Sequence, residues 1–229
     1  MKKIMPLLIV LWVIIVWIAG YHWFFSEQVI PNNPIIADKT ISDNETFQID
    51  LSTLVYKEVV DAEVITVNGE SITIENAIEI WSILEDISLD KPTWTFDTIE
   101  TIKLSNLEGY TMIYSIPSLD TPVCTKQTKQ IEFAWKTFSS VNFVTISHDM
   151  PFALERFCGE NNIDNVLTLS DARTKQFAQN NWLYMKEFGL MTRAVIIVDN
   201  EWEVVYIDYA DEVTKDVDLL NAFAFLQTL

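Results

Sequence analysis

Four apolar runs divide the second half of the chain into strands. Thr111 to Ile116 (TMIYSI) is stopped by Pro117, and Val141 to Ser147 (VNFVTIS) by Asp149 and Pro151. Ala194 to Asp199 (AVIIVD) and Glu203 to Tyr209 (EVVYIDY) follow, joined by Asn200-Glu201-Trp202. So short a connection predicts an antiparallel hairpin. Between the first two runs Ile131, Ala134, Trp135 and Phe138 recur at helical spacing and predict one apolar helix face. Pro151 to Cys158 predicts a second helix, with proline in its first turn. Leu219, Ala222, Phe223 and Leu226 predict a terminal amphipathic helix. Further upstream, Val64 to Ile74 alternates around Asn68-Gly69, a pair suited to the positive φ angles of a tight hairpin turn. Ala77 to Ile87 reads as a short helix or an insertion, and Thr93 to Leu104 as one strand or two.

Strand, helix, strand, helix, then a strand hairpin and a helix is an α/β order with a central mixed sheet flanked by helices. It fits a thioredoxin-like fold, and the pattern alone allows others. No internal repeat and no glycine-rich phosphate loop is present, with five glycines in the chain.

The N-terminus follows a different pattern. Ile4 to Phe25 is 22 residues without a charged side chain, enough to cross the hydrocarbon of a bilayer as one transmembrane helix. Lys2 and Lys3 precede it and Glu27 follows it, which predicts a cytoplasmic N-terminus and an extracytoplasmic domain. A cleaved signal peptide is the competing reading. It needs a shorter apolar core and a small-x-small site, whereas Ala19-Gly20 is the lone small pair and Trp17 and Ile18 crowd it. The expected organisation is therefore a single-pass anchor over 1–25, a spacer over 26–60 rich in Pro and Asn, and a globular domain over 61–229.

Composition narrows the function. The chain of 229 residues is 49% apolar, so it can form a packed core. Its formal net charge is −18, and setting aside Lys2 and Lys3 leaves 13 basic against 33 acidic residues. Such a field repels nucleic acid and argues against that class of partner. Of the potential soft ligands there are two cysteines, Cys124 and Cys158, and two histidines, His22 and His148. They form no Cys-x-x-Cys pair and do not complete a tetrahedral metal site, so no metal and no cofactor is expected. His148 reads as a loop residue rather than a base.

The chemistry centres on Pro117-Ser118-Leu119-Asp120-Thr121-Pro122-Val123-Cys124. A strand ends, a proline-bearing loop follows, and Cys124 falls at the start of a helix. Free N–H groups and the positive end of the helix dipole stabilise a thiolate there. Thr121 can place its hydroxyl beside the sulfur, or cap the helix. Taken alone, Cys124 reads more readily as a buried core thiol.

The wider set of motifs decides between these. Pro117, Thr121 and Cys124 stand as Pro-x-x-x-Thr-x-x-Cys, which resembles the active-site motif of the peroxiredoxins. SLDTPVC, Ser147-His148-Asp149-Met150-Pro151-Phe152-Ala153 and Arg156-Phe157-Cys158-Gly159 are similar to the thiol peroxidase subfamily. Thr192-Arg193-Ala194-Val195 resembles the segment carrying that family's arginine. The resemblance spans about 63–229 and includes the Asn68-Gly69 hairpin. It implies a thioredoxin-like fold and a thiol-dependent peroxidase acting on hydrogen peroxide and organic hydroperoxides. Cys124 would be the peroxidatic cysteine and Cys158, 34 positions later, the resolving one of the same subunit. Thr121 would align the peroxide, Arg193 would hold thiolate and peroxide, and Pro117 or Pro122 would shield the sulfenic acid. A thioredoxin-like reductant and a homodimer are implied as partners. Two features depart from the family: the N-terminal extension, and an Asn181–Leu190 segment poor in glycine. The alternative is a non-catalytic envelope module with a static disulfide that binds a protein partner.

Overall fold

The computed structural model describes residues 65–74, 77–95 and 99–229. The expected anchor over 1–25 and spacer over 26–60 lie outside these residues. Among the described residues, no helix is long and apolar enough to cross a membrane.

The described chain opens with the expected hairpin, β1 (Thr66–Val67) and β2 (Glu70–Ser71). Asn68 and Gly69 take φ of 52° and 79°, the left-handed values this turn needs and that glycine adopts without strain. Next come β3 (Ser88–Asp90) and β4 (Thr101–Lys103), then β5 (Thr111–Ser115), α1 (Pro122–Ala134) and β6 (Asn142–Ser147). They are followed by α2 (Pro151–Asn161), β7 (Leu167–Ser170) and α3 (Gln176–Asn180). A small hairpin, β8 (Tyr184–Met185) with β9 (Leu190–Met191), precedes β10 (Ala194–Val198), β11 (Val204–Tyr209) and α4 (Leu219–Leu226).

Among the described residues, seven strands form one mixed sheet in the order β11-β10-β5-β6-β7-β3-β4. β5, β6 and β7 run parallel, and β10 joins β5 antiparallel with Ala194 opposite Ser115. Strands β5 and β10 are buried along their whole length, as central strands covered on both faces must be. Met112, Tyr114, Phe143 and Val195 face one layer of helices, packing with Ile131 of α1, Leu154 and Phe157 of α2 and Phe223 of α4. Ile113, Val144, Ile196 and Leu169 face the other side, with Phe177 and Ala178 of α3. The thioredoxin-like α/β arrangement expected from the strand and helix order is therefore present.

Two expectations need correction. Ala77–Ile87 is not a helix. Trp81 and Leu84 donate backbone N–H groups to Val204 and Trp202 while Val204 donates to Ser82, so the segment covers the open edge of β11. Among its described residues Thr93–Leu104 holds one strand, the first of the two alternatives, and it pairs with β3, which has no signal in the apolar pattern. Helix α1 ends at Ala134, one turn before Phe138. Bonds from Lys136 to Phe133 and from Thr137 to Ala134 tighten the exit while Phe138 stays in the core.

One edge strand carries a group at odds with its surroundings. Burial raises the Asp208 carboxyl on β11 to about 6, opposed by the Asp218 N–H it accepts at 3.2 Å. An unfolded aspartate titrates near 3.9. Protonation therefore favours the folded state, and stability present below about pH 4 is lost as pH rises through 6. Asp208→Asn is expected to melt higher than the parent at pH 8, by about 1–2 kcal/mol after discount for solvent screening. The gap should close at pH 4, and thermal denaturation at both values checks it.

Candidate active site

Three chain segments meet at the carboxyl ends of the parallel strands, the usual ligand position in open α/β sheets. β5 delivers the loop from Ile116 to Thr121, and β6 delivers Ser147 to Met150. Because β10 is antiparallel to β5, its first residue lies beside the last residue of β5. Arg193, one position earlier, thus arrives at the same end.

The local sequence explains how Cys124 is set. Pro122 occupies the first turn of α1, where a missing N–H costs nothing, and Thr121 is the N-cap. Thr121 Oγ1 accepts the Cys124 N–H at 3.3 Å and donates to the Ser118 carbonyl at 3.2 Å. Cys124 is 0% exposed. Its face of the helix continues through Gln127, Thr128, Ile131 and Ala134, all buried.

The sulfur has a charged partner. Arg193 Nη1 lies 3.1 Å from Cys124 Sγ and 2.6 Å from Tyr114 Oη, and Arg193 Nε donates to the Val213 carbonyl at 3.0 Å. The guanidinium is 2% exposed. Burial works against its charge, but Tyr114 and Cys124 outweigh that and hold its pKa above the ordinary arginine value. Tyr114 Oη in turn donates to Gln127 Oε1 at 2.6 Å, and Gln127 Nε2 donates to the Val217 carbonyl at 2.7 Å. Burial pushes the Tyr114 phenol well above its ordinary range, with Arg193 opposing, so Tyr114 stays neutral and donates.

A second carboxylate holds the loop in place. Asp149 accepts from Ser118 Oγ at 2.7 Å, from the Leu119 N–H at 2.7 Å and from Ser147 Oγ at 2.8 Å. It ties the loop before α1 to the turn before α2. Arg156 of α2 adds an exposed ion pair to Asp120 at 2.9 Å, the kind that contributes little on its own.

The structure brings together Cys124, Thr121 and Arg193. Pro117 is buried in the loop ahead of them, while Pro122 is exposed at the helix start, so of the two prolines considered as shields it is Pro117 that is enclosed. Cys158 is placed elsewhere. It is not bonded to Cys124, and its sulfur lies 3.1 Å from Thr168 Oγ1 on β7. Thr168 stands opposite Thr145, which stands opposite Tyr114, so two strand spacings, roughly 10 Å, separate the partner of Cys158 from Tyr114, whose hydroxyl shares Arg193 Nη1 with Cys124. Burial raises the Cys158 thiol pKa, and the Thr168 hydroxyl opposes it. His148 lies in the turn after β6. Its Nδ1 lies 3.1 Å from the Gly189 carbonyl and its Nε2 3.5 Å from Asp171, away from Cys124's partners. Tyr114, Gln127 and Asp149 have no site role in the sequence reading, where Tyr114 is one residue of the TMIYSI run and Asp149 one of the Ser147-to-Ala153 motif. Gln127 is three positions after Cys124, and helical spacing alone places it on the same face. Among the described residues, no group of three or more His, Cys, Asp or Glu is placed to hold a metal ion.

Known proteins match this arrangement. The model of the AhpC/TSA family matches residues 85–207. A thiol peroxidase of Clostridium acetobutylicum is 40% identical over 117 residues, covering 51% of this chain and 71% of that protein. A thiol peroxidase of Bacillus subtilis is 41% identical over 120 residues, 52% of this chain and 72% of that one. In fold, the chain is similar to the solved thiol peroxidase from Chromobacterium violaceum at a TM-score of 0.63 and 17% identity, covering 72% of this chain and 95% of that one. A peroxiredoxin-like protein from Aquifex aeolicus gives 0.62 at 24% identity, with coverage of 71% and 96%. Carrying the family's match over more than half its length, the chain belongs to the AhpC/TSA family, as a peroxiredoxin of the thiol peroxidase type.

Proposed function

We propose that the chain reduces hydrogen peroxide and organic hydroperoxides through Cys124, with Cys158 closing an intramolecular disulfide that a thioredoxin-like donor reopens. The observation that carries this reading is the guanidinium of Arg193 at 3.1 Å from the buried Cys124 sulfur. A cation fixed beside a sulfur at a helix N-terminus supplies donors for charge developing on a breaking O–O bond.

In the proposed cycle the Cys124 thiolate attacks one peroxide oxygen and the O–O bond breaks. The departing oxygen takes a proton and leaves as water or alcohol, and the sulfur is left as sulfenic acid. The Cys158 thiolate then attacks that sulfur, expelling hydroxide, which becomes water. A dithiol donor reduces the disulfide by exchange and is itself oxidised. Thr121 Oγ1 has a single proton, now given to Ser118. To align a peroxide, the hydroxyl would turn that proton towards the substrate and keep its acceptor side for the Cys124 N–H.

The two sulfurs are engaged with separate partners, so the proposed disulfide requires the first turn of α1 to release Cys124 or α2 to release Cys158. The ties that must yield include the Cys158–Thr168 and Thr121–Cys124 hydrogen bonds. If Ile4 to Phe25 anchors the chain as its sequence predicts, the donor would be an exported thioredoxin-like protein and the domain would work outside the cytoplasm. A homodimer, which the family resemblance implies, remains part of the same proposal.

Substitution of the cysteines tests the core of this reading. Cys124→Ser is expected to abolish peroxide turnover with a thioredoxin system. Cys158→Ser should consume one equivalent of peroxide and lose one thiol, trapped as sulfenic acid by dimedone. Turnover by Cys124→Ser would exclude Cys124 as the nucleophile. Because burial raises the Cys158 thiol, the second thiol of the wild type should disappear faster as pH rises through 8 and beyond the ordinary thiol range. Arg193→Lys keeps a charge but cannot reach Cys124, Tyr114 and Val213 together. Loss of one charge-assisted bond at the reacting atom predicts a fall of about 10- to 100-fold in the rate of the first thiol's loss, read by stopped-flow tryptophan fluorescence.

A further inference from the structure

The N-terminal hairpin stands outside the seven-stranded sheet, yet it is fastened to the loop that borders Arg193. Thr66 donates its N–H to the Asp211 carbonyl at 2.8 Å and accepts the Val213 N–H at 2.9 Å. The Glu212 carboxylate lies between. Its Oε2 accepts the Gly69 N–H at 2.9 Å and lies 2.9 Å from Thr66 Oγ1. Its Oε1 accepts the Asn68 N–H at 3.0 Å, the Thr214 N–H at 3.1 Å and Thr214 Oγ1 at 2.7 Å. The left-handed backbone of Asn68 and Gly69 turns both amides towards one carboxylate. These donors, the Thr214 hydroxyl first and the Gly69 amide next, hold Glu212 down at about 2.

The loop so fixed supplies two carbonyls to the site. Val213, next after Glu212, accepts Arg193 Nε at 3.0 Å. Val217, four residues further on, accepts Gln127 Nε2 at 2.7 Å and so orients the partner of Tyr114. A planar guanidinium has its remaining directions set once Nε is bound. Nη1 then points between Cys124 Sγ and Tyr114 Oη. None of the five donors to Glu212 belongs to the site itself.

We propose that Glu212 is a positioning residue for the Cys124 reaction: by locking the Asn68-Gly69 turn to the 211–214 loop, it holds the Val213 carbonyl where it aims Arg193 at the sulfur. The inference rests on the peroxidase reading above and gives the hairpin a part in it. In Glu212→Gln one oxygen becomes an NH2 group facing N–H and O–H donors, so the lock opens with no change of side-chain size.

The intact chain, reduced, is mixed with hydrogen peroxide and loss of the first and second thiols is timed, with the Arg193 Nε–H resonance followed by NMR. Glu212→Gln is expected to slow loss of the first thiol at least ten-fold and to shift the Nε–H signal into rapid solvent exchange. The second thiol's loss should stay within two-fold, and Glu212→Asp should recover part of the first rate. If Glu212→Gln and Glu212→Ala lower the melting temperature but leave the first rate and the Nε–H signal unchanged, Glu212 only stabilises the fold and the proposal fails. Should the alanine variant not fold, the glutamine variant decides alone. If the wild type itself reacts no faster than free cysteine, the peroxidase reading falls, whereas an unmoved Nε–H signal in Glu212→Gln overturns the positioning claim by itself.

Discussion

A guanidinium buried against a sulfur is the constraint on which the rest of this site depends. Arg193 is 2% exposed and Cys124 0%. Removing such a charge from water is costly unless its donors are met. Three of its five N–H donors are met here, by a carbonyl, a phenol and the sulfur itself. Each partner must then come from a different part of the chain: Val213 from the loop after β11, Tyr114 from the second-last position of β5, and Cys124 from the first turn of α1. The antiparallel register that sets Ala194 against Ser115 makes the meeting possible, since a shift of one residue would turn Tyr114 to the opposite face of the sheet.

Around that pair the structure distributes its ties unevenly. Asp149 binds the loop before α1 by two hydrogen bonds and accepts a third from Ser147 at the end of β6, and Thr121 caps the helix from the same loop. Cys158, by contrast, is half-buried on α2 with one polar partner, Thr168. In the proposed cycle the reacting geometry is thereby built before peroxide arrives, and the disulfide forms at the expense of a few local bonds rather than of the sheet. Electrostatic preorganisation of this kind needs a rigid surround, and β5 and β10, buried along their length, provide it.

Much of this was legible in the residues. The Pro117-to-Cys124 string placed Cys124 at a helix start, and the apolar runs located β5, β6 and β10, because central strands are continuously apolar, together with β11 at the edge. Arg193 was legible through its motif, not through its surroundings. What stayed hidden was non-local or short. β7 is four residues, LTLS, and pairs with β6 only after the chain has passed through α2. β3 is three residues, one of them an aspartate buried against the edge of the sheet. Tyr114 looked like one more core residue of TMIYSI until its hydroxyl met Arg193, and Glu212 like one of 33 acidic residues. Polar roles of this sort are fixed by tertiary register, which leaves no local trace.

The claim that Cys124 and Cys158 form one catalytic couple is tested most directly by peptide mapping after a single oxidation. The fully reduced chain would receive one equivalent of cumene hydroperoxide, be alkylated at once, digested without reductant and examined by mass spectrometry. The account predicts that both thiols are lost together and that the Cys124 peptide is recovered linked to the Cys158 peptide of the same molecule. Recovery of both cysteines alkylated, or oxidation of Cys158 with Cys124 intact, would contradict it.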